Sequence, residues 1–217
     1  MAEQDLLTRL KSEIGPDLTP VRPLGAPGSR ALWMLETWIV LGGGILVFGP
    51  RPDIGALGAW RSVGFSLVEV AVCFVLVVIG LRSSIPAMAG SRSSALVWMA
   101  GALAVHVLVA WGTLERSAMA PQPGDEWRTG LACGVGIAVL SLAPLGLGTV
   151  LLRRGLLTRP FLAFGLTGFT CGLAAEAAWR LHCEYSAWGH VLPFHLGALV
   201  FPLLVAFAAA VVVSRRA

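Results

Sequence analysis

Cys133 and Cys183 lie near the ends of long apolar runs, with His182 beside the second and His190 a few residues beyond. Thiolate sulfur and imidazole nitrogen are tetrahedral ligands of zinc-like ions, so Cys133, His182, Cys183 and His190 form a candidate set for a transition-metal ion. No Cys-x-x-Cys or His-x-x-x-His spacing marks a metal centre. A redox-active thiol pair, a static disulfide and two unconnected thiols therefore stand beside it. The chain between them favours a meeting. It runs inward from Cys133 to a short loop at Arg153–Arg159 and back out to Cys183, about twenty residues or roughly 30 Å per leg. Both thiols should reach a similar height, where a disulfide needs Cα atoms about 5.5 Å apart. Cys73 and Cys171 sit deep in apolar sequence and read as small core residues.

A second group is titratable. Glu69, His106 and Glu176 each fall about 8–11 Å from the outer end of an apolar run. Ionisable groups inside a membrane are costly and usually face the bundle interior, so these three are candidates for a function there. Glu176 is seven residues before Cys183 and shares nearly its helix face. Arg180, four residues after Glu176, can simply neutralise it. His106 and His195 would serve a haem only by facing each other at matching depth. There is no Gly-x-Ser-x-Gly, no phosphate-cradling glycine loop before Lys-Ser/Thr, and no His-Glu-x-x-His. An enzyme is not expected, and no bound cofactor is implied.

The elements that must position these residues are membrane helices. Of 217 residues, 56% are hydrophobic and 13% charged, against about a quarter charged in a soluble domain. Mean hydropathy is +0.78. A crossing needs roughly 20 mostly apolar residues. Six stretches qualify, at about 31–48, 62–81, 93–112, 130–152, 161–181 and 191–213. The predicted fold is all-α: six transmembrane helices in three hairpins, with residues 1–30 as a cytoplasmic segment and 31–217 as the membrane domain. The first stretch follows a polar leader and lacks a small-residue cleavage site, so it reads as a retained span. Gly130/Gly134 and Gly168/Gly172 have the small-xxx-small spacing that would bring helices four and five together.

The formal charge of +4 could be taken for nucleic-acid affinity. Its distribution argues otherwise. Arg9, Lys11, Arg22, Arg30, Arg82, Arg92, Arg153, Arg154, Arg159, Arg215 and Arg216 all fall on one side of the predicted spans. By the positive-inside rule that side is cytoplasmic and holds both termini. The excess is topology, with the bilayer as partner and no direct contact with nucleic acid.

Residues 1–30 carry Leu6, Leu10 and Ile14 at helical spacing, which gives a short helix an apolar stripe. Gly15-Pro16 ends it, and Pro20, Pro23 and Pro27 favour an extended path. Such a stripe suits either a membrane-surface tail or a segment that orders on docking into a partner's groove. An intramembrane Glu/His path would instead suit a small transporter or channel, and a haem or quinone redox protein is a further class.

Three features together resemble the NrsF-type anti-sigma factors. They are Leu6–Leu10 with Leu18-Thr-Pro-Val-Arg-Pro-Leu24, then Pro27 and Arg30; the six-span, both-ends-inside layout; and the ending Ala177-Ala-Trp-Arg-Leu-His-Cys183-Glu. Cys133 matches the family's other outer-side cysteine, while Glu184 stands where proline is frequent. The resemblance implies a bacterial inner-membrane protein that holds an extracytoplasmic-function sigma factor through Leu6, Leu10, Ile14, Val21, Arg22 and Leu24. It also implies that Cys133 and Cys183 read metal or oxidative stress.

Overall fold

The computed structural model describes residues 4–5, 8, 24–88, 90–114, 126–155, 157–185 and 187–215. Leu6, Leu10, Ile14, Val21 and Arg22 lie outside them. Six helices are long and apolar enough to cross a membrane. They are α1 (Pro27–Phe48), α2 (Trp60–Arg82), α3 (Arg92–Thr113), α4 (Glu126–Arg153), α5 (Pro160–Trp179) and α6 (Trp188–Ser214). Among the described residues there is no strand. Pro27 and Pro160 stand in the first turns of α1 and α5, where the missing N–H costs nothing.

The centre of the bundle is α5, which packs against each of the other five helices. It is the least hydropathic of the six and the most buried, with 16 of its 20 residues buried. Small residues explain both properties, because van der Waals packing rather than apolarity drives helix association in lipid. A methyl group on Gly168 would sit 2.6 Å from Ala206 Cβ and 2.7 Å from the Pro202 carbonyl oxygen. On Gly172 it would press on Leu199 and Pro202. The Gly168/Gly172 pair therefore seats α6, which corrects the expectation that it seats α4. Gly130 and Gly134 likewise face Phe194 of α6. Contact between α4 and α5 falls instead to Gly136, against the Trp179 ring, and Gly148, against Thr167. The buried hydroxyls of Thr167 and Thr170 donate to the carbonyls of Ala163 and Leu166 four residues back.

Two spans do not begin as ordinary α-helix. α2 opens in a π turn, Trp60–Gly64, and α6 opens with Trp188–His190 followed by the π turn Val191–Leu196. Pro193 lies in the second of these and has no N–H to give the ladder. π turns occur mostly as local features of helices, frequently at functional sites. This one sets the geometry described next.

Candidate functional site

His190 and His195 are five residues apart. At about 100° per residue an α-helix would turn them roughly 140° away from each other. A π turn, closed by i→i+5 hydrogen bonds, brings them back to one side. Their ring centroids lie 5.2 Å apart, edge to face. Both are buried.

Cys133 enters from α4 and Cys183 from the turn after α5, where the Cys183 N–H bonds the Trp179 carbonyl at 2.9 Å. The two sulfurs are 3.4 Å apart and unbonded, and Cys183 Sγ is 3.4 Å from His190 Nε2. One ligand atom from each of Cys133, Cys183, His190 and His195 falls within 4.8 Å of all the others. Tetrahedral bonds of about 2.0–2.3 Å require ligand separations of roughly 3.3–3.8 Å, so a small closure would fit a zinc-like ion. The hydrogen bond with Cys133, followed by burial, pushes the Cys183 thiol well up.

The expected ligand His182 is not brought to this group. Its Nδ1–H donates to the Gly49 carbonyl at 2.6 Å, and its ring packs edge-on against Trp179. His195 takes its place. Arg51, 2% exposed, ties down the turn that carries Cys183: its N–H donates to the Leu181 carbonyl at 2.8 Å and its guanidinium to Asp53 and the Glu184 carbonyl.

Directly beneath, Glu69 of α2, His106 of α3, Glu176 of α5 and His195 of α6 converge with Arg180, all buried. His106 Nδ1 lies 2.8 Å from Glu69 Oε1 and 3.3 Å from Glu176 Oε2. Arg180 Nη2 reaches Glu69 Oε2 at 2.5 Å and also pairs with Glu176. His195 Nδ1 lies 3.2 Å from Glu176 Oε1. Arginine keeps its proton in proteins, and here two buried carboxylates flank its guanidinium. The arginine is therefore fixed as a cation. Two carboxylates face one guanidinium, so one protonated imidazole would neutralise the cluster.

Sequence spacing identified Glu69, His106 and Glu176 as candidates, and the structure draws them together rather than stringing them along a path. The Glu176 carboxylate bridges His106 and His195, so these two are not the axial ligands of a haem lying between them.

At the opposite end, Arg30 is 6% exposed. It donates to the Leu151 carbonyl near the end of α4 and to Ser84 Oγ, at 3.2 Å, beyond the end of α2. Leu24 is half-buried and lines a recess there with Trp33, Leu151 and Arg154.

Six apolar helices around a central small-residue helix, with thiols and imidazoles gathered at one end, define a multi-pass α-helical membrane protein. The model of the family described as NrsF, negative regulator of sigma F, matches residues 15–215, and the chain belongs to that family. It is accordingly a negative regulator of a sigma factor, and the sigma factor is its protein partner. No curated protein and no solved structure matches it.

Proposed function

We propose that this protein is a non-enzymatic anti-sigma factor of the bacterial inner membrane, with both termini cytoplasmic, that responds to a signal outside. Residues 1–30 hold an extracytoplasmic-function sigma factor at the membrane, Leu6, Leu10 and Ile14 as anchors with Val21, Arg22 and Leu24 extending the contact. The stripe orders as it docks. Cys133 and Cys183 read the signal, with His190 and His195 completing the ligand set for a soft metal ion.

The observation that carries the sensing half is the convergence of four soft ligand atoms within 4.8 Å. Thiolate and imidazole together favour zinc-like or copper(I)-like ions over magnesium or calcium. The 3.4 Å between the sulfurs supports oxidation as a second input to the same site. There two thiols give up two protons and two electrons to an oxidant and join as a disulfide. Either event draws α4 and the end of α5 together, and the bundle shifts to an arrangement that no longer presents residues 1–30.

Co-purification of the tagged full-length protein from its own cells tests the docking half. A sigma factor retained by the native chain, and lost when Leu6 and Leu10 are both replaced by Asp, supports it. Retention by the double variant places the docking surface elsewhere.

A further inference from the structure

His195 belongs to both polar groups. One ring nitrogen, Nδ1, is 3.2 Å from Glu176 Oε1, and because a carboxylate only accepts, Nδ1 carries the proton. That fixes the tautomer and leaves Nε2 with its lone pair. Nε2 is buried and has no hydrogen-bond partner among the described residues. An unpartnered buried nitrogen in a group with two thiols and a second imidazole can serve as a metal ligand.

We propose that Glu176 is a positioning residue for a soft metal ion, holding His195 so that Nε2 becomes the fourth ligand beside Cys133, Cys183 and His190. This rests on the metal-binding reading of the thiol group given above. The arrangement is a carboxylate–histidine–metal relay, in which the outer partner orients the ring and raises its basicity. Glu176 can do this because it is itself held. Arg180 grips it through two donors and His106 lies 3.3 Å from its other oxygen. Glu69 fastens the same Arg180 and His106 from α2 without touching His195. The π turn then sets the ring's approach, since it brings His195 alongside His190. The bland alternative is that Glu176 only neutralises Arg180. That role requires a carboxylate near the guanidinium, but gives no reason for a histidine with an unpartnered buried nitrogen in a group with two thiols.

The test is Co2+ binding to the full-length protein in detergent, followed by absorption and then displaced by Zn2+. The native protein should show thiolate-to-cobalt charge transfer and the intense ligand-field bands of a four-coordinate site. Glu176→Gln should keep the thiolate band but bind Co2+ about 10–100-fold more weakly. Equal Co2+ affinity in native and Glu176→Gln protein overturns the positioning role while the metal reading stands. No thiolate band in the native protein overturns both. Nitrogen-15 NMR of the native, Cd2+-loaded protein needs no variant. Cadmium coupling to Nε2 of His195, with the proton on Nδ1, supports the proposal, and coupling to Nδ1 or to neither nitrogen overturns it.

Discussion

The guanidinium of Arg30 donates to the main-chain carbonyl of Leu151. Leu151 stands near one end of α4 and Cys133 near the other, about 27 Å apart at 1.5 Å per residue. Arg30, in the first turn of α1, is thus latched to the helix that carries a thiol near its other end. Its second bond, to Ser84, adds the end of α2. A rigid helix with a contact at each end is the physical connection that coupling between distant sites requires.

Replacing Arg30 with Ala should therefore uncouple the two ends. Basal repression should persist, because the proposed anchors Leu6, Leu10 and Ile14 are untouched, while induction of target genes by metal or oxidant should fall toward the uninduced level. A transcriptional reporter read beside the membrane level of the protein checks this. Full induction in Arg30→Ala would remove the latch from the mechanism.

The thiol pair makes a chemical prediction. Mild oxidation of membranes by diamide should protect two cysteines from later alkylation, counted by mass. Cys133→Ser and Cys183→Ser should each abolish that protection and the oxidant response. Cys73 and Cys171, 1% and 0% exposed, should contribute to neither result. Protection that survives both substitutions would place the reactive pair elsewhere.

Removing Arg180 should leave Glu69 and Glu176 facing each other in a buried site. Loss of one partner from a buried ion group typically costs about 3–5 kcal/mol. Arg180→Ala should lower the thermal midpoint in detergent strongly, and adding Glu69→Gln should restore part of the loss. A strictly additive double variant would mean that the two residues do not interact.

Packing of α5 can be tested away from any polar group. A side chain at Gly168 must push on Ala206 and on the Pro202 carbonyl, so Gly168→Val should destabilise by about 1–3 kcal/mol. A methyl group on Gly43 meets nothing within 4 Å, which makes Gly43→Ala the control. Equal midpoints for the two variants would contradict close packing of α5 on α6.

Hydropathy alone located all six spans, because the length of an apolar run is set by bilayer thickness and not by tertiary contact. It could not pick out α5 as the centre: mutual fit of small residues is a pairwise property, and Gly168 and Gly172 were assigned to the wrong neighbour. Glu69, His106 and Glu176 were legible as a set because buried charge in lipid is rare. His182 reads as a ligand from its place beside Cys183, yet the turn after α5 sends its ring to Gly49. His195 is not in the ligand set read from the sequence, and on an α-helix it would point away from His190; the π turn brings the two together. Pro193 between them was the one local signal that the turn would be irregular.

In the proposed mechanism one chain holds a sigma factor on one side of a membrane and lets it go when the thiol group on the other side is engaged. The direct measurement is the affinity of full-length protein in lipid nanodiscs for its sigma factor, with and without Cd2+. The account predicts tight binding without the ion, at least a tenfold loss with it, about 1.4 kcal/mol, and no such loss in Cys133→Ser or Cys183→Ser. An affinity for the sigma factor that Cd2+ leaves unchanged in the native protein would contradict it.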